Sequence, residues 1–462
     1  MIKKNDIIEL NITGMTTQGS GVGKVNNMAV FVANSAIGDV VSVVIIKVSK
    51  NYAIGKIIEI IIPSKSRQTQ DCSVFNSCGG CVYRHIKYED ELIIKKQNVI
   101  DSLTRIGGVK DVVCKEIIGS NSVIGYRNKA QLPVKYDENN NTQVGFFAYK
   151  SHRLIPVDNC KLQPKIFNEV IEIFKKWVDI YKPTAYNEVK HKGKLRHLYI
   201  RYGENTNEIM VCLVVNGNGL VGEIELAEML KDKINGFKTL IININTDKSN
   251  VILGRKNRIV YGNGYIYDIL CGLKFKISPL SFYQVNANQA EKLYNKVAEY
   301  ANLNDNDVLL DLYCGTGTIG LTLANKCKKV IGVEIIPQAI EDATENAKIN
   351  KITNAQFMCG DSSEFAKRIS SSDEVIDVVI VDPPRKGCTK EVIESISIIS
   401  PKLVVYVSCD PATLARDVKI FREEYGYELK EVSAFDLFPR TSHVETCVLL
   451  SHKDPQNCSP SK

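Results

Sequence analysis

Hydrophobic and polar positions follow different periods in different parts of the chain. Residues 1–62 contain short β-branched runs separated by glycine, as in GVGKVNNMAVFVANSAIGDVV. This pattern predicts a small all-β barrel, in which closure protects the strand edges. In YEDELIIKKQNVIDSLTRIGG, apolar residues recur at helical spacing before a glycine pair, which predicts one amphipathic helix. Beyond residue 272, apolar strands alternate with helical segments, as in a doubly wound α/β sheet.

These periods divide the chain into three predicted domains. The barrel occupies residues 1–62, and a mixed α+β region occupies 63–272, with strands expected in GYRNKAQLPV and HKGKLRHLYIR. The third domain, 273–462, is expected to have a Rossmann-like α/β fold. Its final segment, DPQNCSPSK, shows no apolar period, so we expect no packed element there. The predicted fold class is therefore α/β, with an N-terminal barrel and a mixed central domain.

The composition is that of an ordinary globular protein of 462 residues, with 44% hydrophobic and 24% charged residues. The sequence has no run of about 18 uncharged apolar residues that could span a membrane. The start, MIKKNDIIELNITG, lacks the apolar segment of a secretory signal. We therefore expect a cytoplasmic protein without a membrane partner. The net charge of +7 is modest over this length and mainly favours solubility.

A local group of basic residues is a better indicator of a phosphate-bearing partner than net charge. The segment HKGKLRHLYIR contains Lys192, Lys194, Arg196 and Arg201 and no acidic residue. It fits either a surface that follows RNA phosphates or an ordinary solvated face, and the sequence does not choose between them.

Three of the 14 cysteines lie close together in DCSVFNSCGGC. Cys72, Cys78 and Cys81 have C-x5-C-x2-C spacing, which brings three thiolates within reach of one inorganic centre. Cys160, in the polar segment IPVDNCKLQP, is the candidate for a fourth ligand. In a reducing compartment such a cluster favours a metal site over disulfides. Spacing alone leaves open an iron-sulfur centre, zinc and a redox-active pair of Cys78 and Cys81, and it favours a structural role.

In the predicted α/β domain, polar residues and glycines follow the apolar strands. Gly315 and Gly317, with Gly320, form G-x-G-x-x-G after VLLDLYC, where backbone without side chains can approach a nucleotide cofactor. Glu334 ends the next strand and is suited to bind ribose hydroxyls, as in dinucleotide and S-adenosylmethionine sites. Asp361 follows a short strand and fits either the adenine side of such a ligand or a simple turn.

Two further segments hold residues suited to catalysis. VIDVVIVDPPRKG stops at two prolines and leaves Asp382 at the carboxyl edge of the sheet, where ligands bind in open α/β folds. LVVYVSCDP carries Cys409 to that edge, and HVETCVLL has Glu445 before a final apolar strand. A thiolate that adds to carbon 6 of a pyrimidine makes carbon 5 nucleophilic, and a carboxylate can then remove the carbon 5 proton. Taken singly, Cys409 fits a buried core thiol better, and Glu445 a surface carboxylate.

Together these segments resemble a known family. SFYQVN, DLYCGTGTIGL, VDPPRKG, SCDPATLARD and HVETCVLL occur in the order found in RNA uracil-5-methyltransferases, and the first domain resembles TRAM, a small RNA-binding barrel. The resemblance covers nearly the entire chain. It implies that S-adenosylmethionine is the methyl donor, Cys409 the nucleophile and Glu445 the general base. It also implies donor contacts by Gln284, Tyr313, Gly315, Gly317, Glu334, Asp361 and Asp382, and by Thr318, which stands where some relatives have Asn.

The resemblance further implies a 4Fe-4S cluster held by Cys72, Cys78, Cys81 and Cys160, and packing of residues 91–121 with the methyltransferase domain. The combination of a TRAM module and cluster cysteines resembles the branch of the family that acts on ribosomal RNA, because the transfer RNA enzymes of the family commonly lack both. We therefore expect a monomer that methylates carbon 5 of a uridine in 23S ribosomal RNA. A uracil must leave its base stack to reach the thiol, which favours a loop or a remodelled strand.

Four alternatives stay open. The chain could modify transfer RNA, bind RNA without catalysis, as a chaperone does, or use the Gly315 loop for nicotinamide-linked redox chemistry. It could also methylate cytosine at carbon 5, which uses the same thiol chemistry. Cytosine enzymes place a second Cys directly after the proline of the fourth-strand motif. Cys388 instead lies 6 residues after Asp382, which counts against this alternative.

Overall fold

The computed structural model describes residues 2–372 and 374–452, and four β-sheets organise this part of the chain. The final segment, for which the sequence predicts no packed element, lies outside the described residues. Within the described residues, no helix is both long enough and apolar enough to cross a membrane.

The first sheet is formed by the N-terminal part of the chain. Its strands are β1 (Ile7–Asn11), β2 (Gly14–Met15), β3 (Gly21–Val25), β4 (Met28–Val32), β5 (Val40–Val48) and β6 (Tyr52–Ile62). Their order is β1-β5-β6-β4-β3-β2. Alternate residues of β5 are fully buried, because successive side chains of a strand point to opposite faces. The sheet curves until β1 meets β3, where a Cβ on Gly23 would lie only 2.4 Å from the carbonyl oxygen of Asn11. This sheet is the predicted small barrel.

The second sheet follows α1 (Tyr88–Arg105) and β7 (Cys114–Ile118) and is the mixed α+β centre that the sequence predicts. Its elements are β8 (Lys129–Tyr136), β9 (Thr142–Phe147), β10 (Leu154–Pro156), α2 (Ile166–Tyr181), β11 (Leu195–Tyr202), β12 (Ile209–Val215), α3 (Glu223–Lys233), β13 (Phe237–Ile244) and β14 (Lys256–Tyr261). The strand order is β10-β9-β8-β11-β12-β13-β14. One face of α2, with Phe167, Phe174 and Trp177, is buried against this sheet. A two-stranded hairpin, β15 (Ile266–Leu270) and β16 (Leu273–Ile277), follows.

The last sheet contains eight strands and has the predicted Rossmann-like organisation. Its elements are α4 (Ala287–Ala301), β17 (Val308–Leu312), α5 (Thr318–Leu323) with a 3-10 turn (Ala324–Lys326), β18 (Lys329–Glu334), α6 (Pro337–Ile349), β19 (Ala355–Cys359), α7 (Ser362–Ser370), β20 (Val378–Val381), α8 (Lys390–Ile399), β21 (Leu403–Ser408), α9 (Pro411–Tyr425), β22 (Tyr427–Phe435) and β23 (Glu445–His452). The order is β19-β18-β17-β20-β21-β23-β22-β7. The first five strands of this order are parallel, and β23 is antiparallel to its neighbours. Helices cover both faces, so β17 and β20 are buried along their whole length.

The outer strand of the eight-stranded sheet comes from a distant part of the chain. β7 pairs in parallel with β22, and α1 packs against α9. Through these contacts α1 and β7, which precede the second sheet in the chain, pack with the eight-stranded sheet, which follows it. We therefore propose domain boundaries near 62 and 272, with residues 91–121 assigned to the last domain.

The basic segment of β11 does not form one charged surface. Lys192 and Lys194 are exposed, but Arg196 and Arg201 are buried. Nη1 of Arg196 donates to the carbonyl oxygen of Asp247 at 2.8 Å, and the Arg201 guanidinium donates to a backbone carbonyl beyond the strand. The alternative of a four-residue RNA-binding patch is wrong for the two arginines, because their charges stabilise loops inside the protein.

Candidate active site

Three parallel strands end side by side at one edge of the eight-stranded sheet. β17 pairs with β20, and β20 pairs with β21. Tyr313, Asp382 and Cys409 are the residues that directly follow these strands. Because parallel strands share a carboxyl edge, the three side chains lie along the crevice where open α/β sheets bind ligands.

Glu445 reaches this edge from the opposite direction. β23 is antiparallel to β21 and begins at Glu445, and Ser408 pairs with Thr446 at the end of their ladder. Cys409 and Glu445 are therefore the next residues on facing strands, and cross-strand neighbours have Cβ atoms about 5 Å apart. The structure brings together the thiol and the carboxylate that the sequence analysis selected.

Burial and negative charge favour the protonated forms of these groups. Burial, followed by the Glu445 carboxylate, raises the pKa of the Cys409 thiol to about 11. Burial, followed by the charge of Asp382, raises the pKa of Glu445 to about 8. Burial raises the pKa of Asp382 to about 7. Near neutral pH these raised pKa values therefore favour the protonated thiol and shift both carboxyl groups towards their neutral forms.

Arg385 supplies a positive charge beside the pair. Its guanidinium opposes the effect of burial on the pKa of Cys409 and Glu445, because it favours their anions. Nη2 of Arg385 donates to Nε2 of His443, and the two nitrogens are 3.2 Å apart. Burial, followed by the Arg385 charge, lowers the pKa of His443 to about 4, so the imidazole stays neutral and can accept. The sequence analysis did not select either residue, although Arg385 lies in the motif that contains Asp382.

The turn between β17 and α5 presents open backbone to the crevice. Gly317 has φ +78°, and a Cβ there would lie 2.9 Å from the ring of Phe357, so a larger residue would be strained and crowded. Gly315 has φ +54°, and its N–H donates to Oε2 of Glu334 at 3.2 Å. Oε1 of Glu334 accepts the N–H of Ile336 at 3.0 Å. The glutamate at the end of β18 is therefore held against the glycine turn.

Asp311 lies buried beneath this turn, and the sequence analysis did not select it as a site residue. Its Oδ2 accepts the N–H of Gly320 at 3.0 Å, whereas Oδ1 has no partner among the residues that the structure describes. Burial raises the pKa of Asp311 to about 7, and the charges of Asp382 and Glu334 act in the same direction. A buried carboxylate oxygen without a partner is rare in proteins.

The remaining donor candidates have different surroundings. Gln284 is buried in the segment before α4. The hydroxyl of Thr318 contacts the hydroxyl of Tyr294 at 3.0 Å. Asp361 caps α7, because its Oδ1 accepts the N–H of Ser363 at 2.8 Å. This cap is the turn role that the sequence left open for Asp361, and it does not prevent the other oxygen from binding a ligand.

The cysteines that the sequence analysis selected as metal ligands line one cavity of about 480 Å³: Cys72, Cys78, Cys81 and Cys160. Burial raises the pKa of Cys81 to about 12, and the other three thiols are close enough to raise it further. Among the residues that the structure describes, no group of three or more His, Cys, Asp or Glu side chains has the arrangement of a metal site. The thiols are therefore gathered around a common space but are not drawn into coordination geometry.

The same cavity reaches the crevice edge, and the sequence did not predict this connection. Arg385 and His443 also line it. The N–H groups of Val82 and Tyr83, directly after Cys81, donate to the carbonyl oxygen of Arg440 at 2.7 and 3.1 Å. The cysteine segment is thus hydrogen-bonded to the loop that leads into β23.

Comparisons with known proteins identify the family of the chain. The family model described as tRNA (uracil-5-)-methyltransferase matches residues 88–453, and the TRAM-domain model matches residues 3–58. A Clostridium acetobutylicum protein named as an uncharacterised RNA methyltransferase is 45% identical over 455 residues, which cover 98% of each chain. A similarly named Clostridium tetani protein is 43% identical over 98% of this chain and 97% of its own. The crystal structure of Pyrococcus abyssi tRNA (uracil-54, C5)-methyltransferase in complex with S-adenosyl-L-homocysteine is 29% identical, with a TM-score of 0.77 over 96% of this chain and 99% of that one.

Proposed function

Because the chain belongs to the RNA uracil-5-methyltransferase family and carries a TRAM domain, we propose that it methylates carbon 5 of an RNA uridine with S-adenosylmethionine as donor. The observation that carries this proposal is that Cys409 and Glu445 each lie one residue beyond Ser408 and Thr446, the last pair of the β21–β23 ladder, where the Glu445 charge acts on the Cys409 thiol. The reaction needs a nucleophilic thiol and a carboxylate base at one point.

In the proposed first step, the Cys409 thiol passes its proton to water and adds to the uracil as a thiolate. Its sulfur forms a bond to carbon 6, and the electrons of the 5,6 double bond move to make an enolate. Carbon 5 then bonds to the donor methyl group while the bond from that methyl to the sulfonium sulfur breaks, which releases S-adenosylhomocysteine. Arg385 assists this step, because its positive charge favours the thiolate and lowers the pKa of Cys409, against the effect of burial.

In the second step, Glu445 removes the proton from carbon 5. The electrons of that C–H bond re-form the double bond, the bond between carbon 6 and sulfur breaks, and Cys409 leaves as a thiolate. The raised pKa of Glu445, about 8, makes its carboxylate a stronger base than an exposed glutamate. The proton then passes to water and the Cys409 thiolate regains one proton, so one turnover yields 5-methyluridine, S-adenosylhomocysteine and one proton.

We propose that the methyl donor lies along the glycine turn and the ends of β18 and β20. Glu334 would accept hydrogen bonds from ribose hydroxyls, and the open backbone at Gly315, where a Cβ would meet nothing within 4 Å, leaves room for close approach. Gly317 would contribute through the positive φ that shapes the turn. Asp382 directly follows β20, which lies between β17, the strand before the glycine turn, and β21, the strand before Cys409. This position suits a carboxylate that faces a cationic sulfonium. Further donor contacts are proposed for Gln284, Tyr313 and Asp361.

We also propose that Cys72, Cys78, Cys81 and Cys160 hold a 4Fe-4S cluster. In support, the four thiols line one cavity, and the other three lie close enough to Cys81 to contribute to its raised pKa. Such a cluster would supply a structural crosslink, and binding would require the thiols to lose protons and move closer together. Iron and sulfide analysis of protein purified without oxygen tests this assignment. Zinc in place of iron, or the absence of iron and sulfide after such purification, would contradict it.

For the substrate, we propose a uridine of 23S ribosomal RNA, because an N-terminal barrel and cluster cysteines occur in one chain. Transfer RNA is a second candidate. The structural match to the Pyrococcus abyssi enzyme, described as acting on tRNA, covers 96% of this chain. The remaining 4% of this chain is fewer residues than the barrel contains, so the match includes part of the barrel. The presence of a barrel therefore does not by itself distinguish a ribosomal RNA substrate from a transfer RNA substrate.

The test is incubation with labelled S-adenosylmethionine and unmodified ribosomal or transfer RNA, followed by nucleoside analysis. We expect 5-methyluridine in 23S RNA, and loss of label in Cys409→Ala. Cys271→Ala is a matched control, because burial also raises the pKa of Cys271 to about 11 although it lies in the β15–β16 turn. Label only in transfer RNA supports the second candidate. No label in any RNA, or full activity in Cys409→Ala, overturns the proposal.

A further inference from the structure

Buried charges hold the loop that leads into the proposed general base. This loop, residues 436–444, connects β22 to β23 and is called the base loop below. Nζ of Lys95, on α1, lies 2.7 Å from Oδ1 of Asp436 and 2.8 Å from Oε1 of Glu91, and all three side chains are 0% exposed. Lys95 also donates to the carbonyl oxygen of Phe438 at 3.2 Å. One ammonium group therefore binds the base loop at two points.

Glu91 binds the same loop from the other side. Its Oε1 accepts the backbone N–H of Arg440 at 2.7 Å, and its Oε2 lies 3.3 Å from Nη1 of Arg440. That guanidinium nitrogen also donates to the carbonyl oxygen of Ile86 at 2.8 Å. The network of Glu91, Lys95, Asp436 and Arg440 contains two acids and two bases, so its buried charges balance.

Arg440 has φ +71°, a left-handed conformation that residues with a side chain rarely adopt. Such a conformation persists only where the surroundings determine it, and it is found mainly at functional sites. Here the determinants are the Glu91 carboxylate on one side and the N–H groups of Val82 and Tyr83 on the other. The backbone of the base loop is therefore fixed by residues from far earlier in the chain.

We propose that Lys95 and Glu91 are positioning residues that set the place of Glu445 through the base loop. This inference rests on the proposed function, because it assigns the second step to Glu445. The loop contributes His443 to the cavity wall and continues directly into Glu445. A general base acts only within hydrogen-bond reach of its proton, and a displacement of about 1 Å can slow a reaction by about 100-fold.

The test variant is the double substitution Glu91→Gln and Lys95→Met, which removes one acid and one base and keeps the buried charge balanced. Its matched control is Asp101→Asn with Arg105→Met, which removes the exposed ion pair at the far end of the same helix. For each protein we would measure turnover, S-adenosylhomocysteine affinity and the steady-state fraction of enzyme bound covalently to RNA. The covalent fraction distinguishes slow proton removal, which raises it, from general damage to the enzyme, which does not.

We expect turnover of the test variant to fall about 10- to 100-fold while the covalent fraction rises, as it should in Glu445→Gln. Donor-product affinity should stay within about twofold of the wild type, and the control should match the wild type. A fall in turnover with no rise in covalent enzyme, or unchanged turnover, would overturn the positioning role.

Two further measurements keep the inference testable. If the double variant does not fold, Glu91→Gln alone, which keeps an acceptor for Arg440 but loses the charge, should give a smaller rise in covalent enzyme in the same direction, and Lys95→Arg, which keeps the charge, should retain more turnover than Lys95→Met. Absence of covalent enzyme in Glu445→Gln as well would instead refute the proposed two-step chemistry, so the two failures are distinguishable.

Discussion

Replacing Glu445 by Gln should lower the pKa of the Cys409 thiol. The carboxylate is the largest influence after burial on that pKa, which stands at about 11. The side-chain amide has nearly the same shape and no charge, so the substitution removes the repulsion and little else. Above pH 8, where Glu445 is largely ionised, the difference between the two proteins is greatest.

The size of the effect follows from Coulomb's law when the usual spacing of cross-strand neighbours, about 5 Å, is taken as the separation of the two charges. Two unit charges about 5 Å apart in an effective dielectric of about 20 interact by about 3 kcal/mol, which corresponds to about 2 pKa units. Cys409 is partly accessible and Arg385 is near, so screening reduces this, and we expect a fall of about 1 to 2 units. A thiolate also loses nucleophilicity as its pKa falls, so alkylation at about pH 8.5 should accelerate about 4- to 12-fold.

The assay is iodoacetamide labelling with mass spectrometry of the peptide that contains Cys409. Cys271 serves as an internal reference, because burial and Glu291 raise its pKa to about 11 at a site remote from Glu445. Glu394→Gln, on the exposed face of α8, is the matched variant. Equal labelling of Cys409 in wild type and Glu445→Gln would refute the reasoning, because the carboxylate would then have no influence on the thiol.

Three other predictions concern the crevice and the cysteine cavity. Affinity for S-adenosylmethionine should rise between pH 6 and pH 8, because a cation favours the ionised form of Asp382, whose pKa is about 7. Calorimetry should show a smaller rise in affinity for neutral S-adenosylhomocysteine. In Asp382→Asn the affinity for S-adenosylmethionine should not change with pH. Gly317→Ala should lower the free energy of unfolding by about 1–3 kcal/mol, because residue 317 has a positive φ and a Cβ there would contact Phe357. The expected results are a lower Tm and weaker donor binding, and an unchanged Tm would contradict this prediction. Cys81→Ala should abolish bound iron, and a full iron content would exclude Cys81 as a ligand.

Much of the crevice could be predicted from the sequence because parallel strands have a simple geometry. An apolar run that ends at a polar residue or a proline marks a carboxyl edge, and this applied to Glu334, Asp382 and Cys409. The place of Glu445 required the antiparallel pairing of β23 with β21, which no local pattern specifies. The chemistry of the pyrimidine reaction linked that carboxylate to the thiol, and the resemblance to a family agreed with this link.

The parts that could not be predicted depend on contacts between distant residues. Lys95 and Asp436 are charged and would be expected at the surface, yet they are buried because each is the partner of the other, 341 residues apart. Arg196 and Arg201 were compatible with a surface patch, because charge alone does not reveal that loops from elsewhere supply carbonyl partners. Asp311 lies inside an apolar strand and was overlooked for that reason.

The pairing of β7 with β22 also has a consequence for how the protein is made. During synthesis, β7 emerges about 300 residues before the strand it pairs with, so the eight-stranded sheet is completed only when the C-terminal part of the chain is available. A fragment that starts at residue 273 would leave the N–H and C=O groups of β22 unpaired along one edge, and such an edge recruits other chains. We therefore expect the α/β sheet expressed alone to aggregate, and co-expression of residues 88–121 to restore its solubility.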